Sequence, residues 1–511
     1  MAGMPLARLL TALLLLSASL AAQNPLRELR GVYLDVSDGV FASRAEISKA
    51  MEALADAHVN VVLPCVWDGA FTLWHSSTAK EAFGADCDPA WGDRDVLGEL
   101  VMEAHRFGLE VLPCFDAGFT AKGALLDKHP DWAALGKDKQ PVTRNGERWL
   151  DALHPDVQQF FLALVLELAR NYDLDGFAGS ERFPALPAEA GYDARTLAAY
   201  KQAAGVEAPR DEHEAKWSAW RAEQLTGFRA KLGGALHPSL ALLMAPRAPG
   251  VGLRENLQDV KSWSERKLCS AIVLRAAAHG SEDERKLVGE MLTVDWLAKE
   301  KQKFGASVAT LEAGWKADSA FLVAAIENHR REQLAGEILV GARALLAEDG
   351  ALAHALWDGP YNVPAIPPWR SEEGWRPKPL ELRPEAGYGR WSFAPGDGPQ
   401  VMLLDGGQKG EASWTARARF AGAYDVYAWI PSEPKLGEQA RYQLATSHGL
   451  ATSTLKLDAA KGRGWRWLGV VRLPESDDFE VARYDAIEAD RTKVSAIGPL
   501  LLILNRRAGR G

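Results

Sequence analysis

Short apolar runs, each stopping at a polar residue and each followed by a helical stripe, recur from Gly31 to Gly341. The runs read as strands at 31–36, 59–66, 109–115, from Phe177, and at 240–244, 271–274, 307–311 and 338–341. Between them apolar residues return at helical spacing. Ile47, Met51 and Leu54 follow the capping pattern Ser43 and Glu46; later helices fall at 93–106, 155–170, 217–232, around Trp263 and Leu268, at 294–304 and at 321–334. Continuous apolar runs suit strands buried on both faces, and alternation with helices requires parallel pairing. In this number the units predict an α/β fold closed as a (β/α)8 TIM barrel, usually roughly 250 residues plus insertions.

In such a barrel the C-terminal ends of the strands carry the chemistry. The stretch 171–183, N-Y-D-L-D-G-F-A-G-S-E-R-F, is the most informative. It reads as a helix end, an Asp175-Gly176 turn and a buried strand that delivers Ser180, Glu181 and Arg182 to that face. Asp175 lies at the opposite end and is read as a turn former.

A chain of 511 residues exceeds one ordinary core. Near Val363 the texture changes: P-A-I-P-P-W-R leaves the barrel region 23–370, and 371–384 reads as a linker. Short alternating runs at 401–404, 412–420, 423–430, 440–444, 464–473 and 499–504 predict an all-β sandwich over 385–507. Residues 508–511 are a tail, with disorder expected from Arg506. Residues 1–22 read as a secretory signal peptide, with Arg8, the apolar stretch 9–16 and a Ser19-Leu20-Ala21 cleavage site. No cysteine follows it and no later run is long enough to span a bilayer, so a secreted or periplasmic, not membrane-spanning protein is expected.

A net charge of −9 leaves no basic footprint for nucleic acid. No G-x-G-x-x-G or P-loop is present, and no cofactor is expected. Cys65 and Cys114 read as buried thiols in neighbouring strands, Cys269 as buried, and Cys87 as able to bridge in an oxidising compartment. No cysteine pair has metal-ligand spacing, and His75 and His129 read as structurally satisfied, so no metal is expected. Eighteen tryptophans lean toward a carbohydrate ligand.

Glycosidic-bond hydrolysis usually needs two carboxyl groups, one donating a proton and one attacking or activating water. Glu181 and Asp116 are the candidate pair. Glu181 reads either as an acid/base or as a rim carboxylate salt-bridged to Arg182 or Arg247. Asp35, Trp67, Asp68, Ser180, Arg247, Arg275 and Glu312 are candidate substrate-binding residues at or near strand ends. Asp35 and Asp68 read alternatively as loop formers. Arg247 and Arg275 read either as a clamp for an acidic sugar or as an ion-pair network with Glu181 and Glu312. Trp67, Trp74, Trp132 and Trp149 read as sugar-stacking or loop-packing side chains.

The fragments R-G-V-Y-L-D-V, D-A-H-V-N-V-V-L-P-C-V-W, E-A-H-R-F-G-L-E-V-L-P, W-L-D-A-L-H-P-D-V, N-Y-D-L-D-G-F and G-P-Y-N-V-P-A-I-P-P together resemble glycoside-hydrolase-like family ten over about 29–370. The resemblance implies an exported glycosidase-like TIM barrel acting on polysaccharide or peptidoglycan glycan strands. G-A-Y-D-V-Y-A-W-I-P, A-R-Y-Q-L and G-W-R-W-L-G resemble a carbohydrate-binding domain of the golvesin or xanthan-lyase type. The family's D-G-I-x-F-D-D-x-F is D-G-F-A-G-S-E-R-F here, which places Ser180 and Glu181 at the acidic positions and Gly179 at the aromatic one. The ends of strands five and six read M-A-P-R and V-L-R-A in place of S-x-S-P and P-Q-x-Y. These departures set a hydrolase against a catalytically inactive glycan binder or an envelope scaffold.

Overall fold

The computed structural model describes residues 26–509 apart from 277, 372–375, 395–398, 434, 447–448 and 458–463. The signal-peptide reading of 1–22 lies outside the described residues. The chain forms two compact units: one holds the residues up to 100 with 109–166 and 175–375, the other 101–108, 167–174 and 376 onward.

The first unit is a closed parallel barrel. Its strands are β1 (Leu29–Leu34), β2 (Val61–Pro64), β3 (Glu110–Val111 and Cys114–Phe115), β4 (Gly176–Gly179), β5 (Ala241–Met244), β6 (Ala271–Leu274), β7 (Phe304–Ala309) and β8 (Gly336–Val340). Each pairs in parallel with the next, and β8 returns to β1. Pro113 interrupts β3 because it has no N–H to give. The first half of β3 pairs with β2 and the second with β4, so the ring still closes. Leu29, Leu63, Leu112, Cys114, Ala178, Leu243, Val273 and Ile338 fill the barrel core. Cys65, just past β2, and Cys114, on β3, are free buried thiols facing each other in a parallel bridge, whereas Cys269 is only half-buried.

Local chemistry explains the joints. Ser43 accepts the Glu46 N–H at 3.1 Å and starts helix α1 (Arg44–Asp56), which buries Ile47, Ala50, Met51 and Leu54. Asp175 is fully buried below the barrel, where its Oδ2 accepts the Val111 N–H at 3.0 Å. Gly176 is required beside it, since a Cβ there would stand 2.2 Å from the Ala241 carbonyl oxygen. The same end carries a buried ionic layer. Glu28 pairs with Arg30 and Arg330, Glu110 with Arg370, and His329 with both Glu284 and Glu337.

The second unit is antiparallel. One sheet orders Leu380–Leu382, Leu500–Leu504, Gly422–Ile430 and Gly464–Leu473; another orders Glu385–Ala386, Glu411–Arg417, Asp478–Asp485, Gln439–Thr446 and Gly449–Lys456. Trp414, Tyr442 and Tyr484 from one sheet pack with Val426, Leu468 and Leu502 from the other, giving a sandwich core. Two expectations are corrected here. Leu380–Leu382, assigned to the linker, is a strand of the sandwich. The tail is not disordered from Arg506: Arg507–Gly509 forms a 3-10 turn in which the Ala508 N–H donates to Asn505 Oδ1 at 2.8 Å.

Candidate functional site

A cavity of about 290 Å³ opens at the C-terminal end of the barrel. Leu63, Leu243, Val273 and Ile338 line its depth; Tyr33, Asp116, Ser180, Glu181, Arg182, Arg275 and Glu312 line its rim. The strand ends bring together three carboxylates and two guanidiniums on this rim.

Glu181 follows β4 at a sharp return of the chain. Gly179 permits that return, because a Cβ there would lie 2.6 Å from the Phe183 carbonyl oxygen. An aromatic at that position would collide. Glu181 Oε1 lies 3.0 Å from Arg275 Nη1, and its Oε2 lies 3.7 Å from Arg247 Nε. Arg275 Nη2 reaches Glu312 Oε1 at 2.8 Å, and His279 Nε2 reaches Glu312 Oε2 at 3.3 Å. The network reading of Arg247, Arg275, Glu181 and Glu312 therefore describes the geometry.

Arg182 turns away from Glu181. Its Nη2 donates to Asp116 Oδ2 at 2.6 Å, its Nη1 to Glu147 Oε2 at 2.7 Å, and its Nε to the Asp116 carbonyl at 2.9 Å. The Ser180 hydroxyl donates to the same carbonyl at 2.5 Å and accepts the Arg182 N–H at 3.1 Å. Ser180 thus staples the end of β4 to the end of β3, and its hydroxyl is already spent on that tie. Burial pushes the Asp116 carboxyl up and Arg182 pulls it down, but Asp35, Glu181 and Glu147 add to the upward side. The balance lies above the ordinary aspartate value.

Three candidate binders have other tasks. Asp35 caps the turn Val36–Asp38, accepting the Ser37 N–H at 2.8 Å while its own N–H donates to Asp38 Oδ2. Asp68 Oδ1 accepts the N–H groups of Ala70 and Phe71 at 2.8 and 2.7 Å. Trp67 is fully buried; its indole N–H donates to the Gly118 carbonyl, and its ring packs among Phe83, Phe160 and Phe161. Trp74, Trp132 and Trp149 are buried as well, so all four are core rather than sugar platforms. Trp67 and Trp132 share one aromatic cluster through Phe160.

Beside and inside the cavity lie two groups that sequence reasoning does not single out. Trp315, partly exposed on the hairpin of Leu311–Glu312 and Trp315–Lys316, stacks on His279 at 4.7 Å and 17°. Its only signal is its place just after Glu312. The Tyr33 hydroxyl at the cavity is buried and meets, among the described residues, only the weakly bonding Cys65 thiol. Burial first, then the Cys65 thiol and Asp116 nearby, hold this phenol well above its ordinary value, so it is a neutral donor.

Residues 28–281 match the family Glycosyl hydrolase-like 10. No curated protein matches the chain. Among solved structures the chain is similar to the PgaB (BpsB) glycoside hydrolase domain from Bordetella bronchiseptica, with 15% identity, TM-score 0.49, and coverage of 65% of this chain and 99% of that one. It is similar to alpha-L-fucosidase isoenzyme 2 from Paenibacillus thiaminolyticus at 16% identity and TM-score 0.46, covering 64% of this chain and 49% of that one. The catalytic domain of beta-amylase from Paenibacillus polymyxa matches at 10% identity and TM-score 0.45, over 64% of this chain and 95% of that one.

Proposed function

We propose, from a barrel that belongs to the Glycosyl hydrolase-like 10 family, that this protein takes a glycan into its mouth and holds it without cleaving it. The observation that carries this reading is that both candidate carboxyl groups are engaged by arginine. Glu181 meets Arg275 and Arg247, and Asp116 meets Arg182. Cleavage needs one carboxyl group carrying a proton toward the leaving oxygen and another aimed at the anomeric carbon or at water. Neither is available while guanidinium groups hold them. The cavity, the neutral Tyr33 donor in it and the Trp315 ring paired opposite the rim residue Glu312 support sugar binding.

The ligand class is polysaccharide or peptidoglycan glycan. The antiparallel unit is read as an accessory carbohydrate-binding domain of the golvesin type, and the pattern of residues 1–22 supports export. No described helix is long and apolar enough to cross a membrane.

Hydrolysis is the second reading, favoured by one fact: burial raises the Asp116 carboxyl, as a proton donor requires. Asp116 would then be the acid and Glu181 its partner. Incubation with purified peptidoglycan and with neutral polysaccharides decides between them. Binding proposes retention of the protein on glycan with no new reducing ends. Release of reducing ends by wild type that stops in both Glu181→Gln and Asp116→Asn would replace binding with hydrolysis.

A further inference from the structure

We propose that His75, Asp86 and Cys87 form a binding site for a divalent cation of the Zn2+ class, on the long loop between β2 and the helix Val96–Arg106. Cys87 Sγ lies 3.4 Å from His75 Nδ1, and His75 Nδ1 lies 3.7 Å from Asp86 Oδ2. The three donor atoms all fall within 4.8 Å of one another. Ligands bound to tetrahedral Zn2+ at about 2.0–2.3 Å stand roughly 3.3–3.7 Å apart; the two histidine separations already match, and the Asp86 carboxylate, part-exposed, closes on the thiol from within 4.8 Å.

The direction of the imidazole separates this from other chemistry. A cysteine–histidine relay puts the thiol on one ring nitrogen and the carboxylate on the other. Here one nitrogen, Nδ1, faces both the sulfur and the carboxylate. Three different donors converging on one point is a coordination geometry. Nitrogen, sulfur and oxygen donors together select Zn2+, Co2+ or similar borderline ions over Mg2+ and Ca2+.

The backbone already holds the two segments together. The Ser76 N–H donates to the Asp86 carbonyl at 2.7 Å, and the Thr72 hydroxyl to the same oxygen at 2.9 Å. Ser76 Oγ also accepts the Ala79 N–H at 3.0 Å and caps the helix Ser77–Phe83, which leads the chain back toward Asp86. Little loop entropy therefore remains to be lost on binding. Cys87 is buried, while the His75 and Asp86 side chains are 37% and 41% exposed, which leaves a fourth position to water. Lys80 Nζ, 3.7 Å from Asp86 Oδ2, is the competing cation, but its side chain is 68% exposed and can swing into solvent. On binding, the thiol proton passes to solvent as the metal–sulfur bond forms, so affinity rises with pH. This site is independent of the glycan reading.

Metal-free full-length protein titrated with Co2+ should develop the near-ultraviolet absorption of a cobalt thiolate, and Zn2+ should displace it. Cys87→Ser should abolish the band. His75→Ala, at a part-exposed position, should weaken Co2+ binding by at least the ~100-fold that changes around metal ligands reach. No band in wild type at saturating Co2+, a band surviving Cys87→Ser, or unchanged affinity in a folded His75→Ala would each overturn the proposal. If Cys87→Ser does not fold, the His75→Ala affinity decides alone.

Discussion

Glu181 and Arg275 meet at 3.0 Å on the cavity rim, and Arg275 carries the contact on to Glu312 at 2.8 Å. One planar guanidinium thus spans two carboxylates from different strand ends, which an ammonium point charge cannot do. Arg275→Lys should therefore fail to restore what Arg275→Gln loses. In both variants glycan retention is expected to fall about tenfold, or ~1.4 kcal/mol. The Arg275 side chain is 47% exposed, so the stability change should stay near ~1 kcal/mol. Sedimentation with insoluble glycan and thermal melting check the two effects. Equal retention by wild type and Arg275→Gln would remove Arg275 from the binding surface.

Tyr33→Phe should move stability and binding in opposite directions. The hydroxyl is buried, and among the described residues the Cys65 thiol is its one side-chain partner, a weak one. Leaving a buried polar group unsatisfied costs about 1–3 kcal/mol, so its removal should raise the melting temperature. If a sugar hydroxyl completes the Tyr33 bond, the same change should weaken glycan binding about fivefold, on the order of 1 kcal/mol. A variant that binds as tightly as wild type would mean that no ligand reaches this hydroxyl.

The barrel is legible because strands buried on both faces leave continuous apolar runs. The reading fails where that signal fades. β7 begins at Phe304 rather than at 307, since F-G-A-S-V-A also continues the helical stripe before it. The helix Ser281–Leu292 escapes notice because its surface is so charged that only Glu284, Val288 and Met291 are buried. Gly449–Lys456 is a strand with no fully buried residue, so hydrophobic pattern cannot find it. In the site, strand ends gather Glu181, Asp116, Arg275 and Glu312 around one cavity. Which arginine meets which carboxylate depends on loop paths instead. Arg182 is adjacent to Glu181 in sequence yet pairs with Asp116 and Glu147. His75 and Cys87 are twelve positions apart, a separation that no helix or strand periodicity converts into contact.

Trp467 should matter to glycan binding by the antiparallel unit without mattering to its folding. The side chain is 54% exposed on the strand Gly464–Leu473, opposite Tyr427. Its indole N–H donates to Asp425 Oδ1 at 2.8 Å, which fixes the ring in one plane. A fixed, exposed indole suits a sugar face and costs little ordering. Trp467→Ala in the full chain should lower retention on insoluble polysaccharide roughly fivefold, about 1 kcal/mol. Its stability should change by less than about 0.5 kcal/mol, as for other surface substitutions. Retention unchanged by this substitution would take the indole out of glycan binding.

His329 sets a stability limit on the alkaline side. Its Nε2 lies 2.9 Å from Glu284 Oε1 and its Nδ1 3.1 Å from Glu337 Oε2, and Tyr361 and Asn328 donate to the same carboxylates. Burial opposes the imidazolium charge, but the two carboxylates outweigh it and push the pKa up to about 9, from an ordinary 6.5. Below pH 6.5 the folded and unfolded chains both hold the proton, and the stabilisation is complete. Between 6.5 and about 9 only the folded chain holds it, so stability falls as pH rises; above 9 the contribution is gone. The shift corresponds to on the order of 3 kcal/mol. His329→Gln cannot carry the charge and leaves two buried carboxylates without a counterion. It should destabilise the barrel by on the order of 3 kcal/mol at the acidic end of this window and abolish the slope across it. Urea unfolding at a series of pH values, on both proteins, measures that slope. A wild-type stability that stays flat through the window would show that His329 is neutral in the folded barrel.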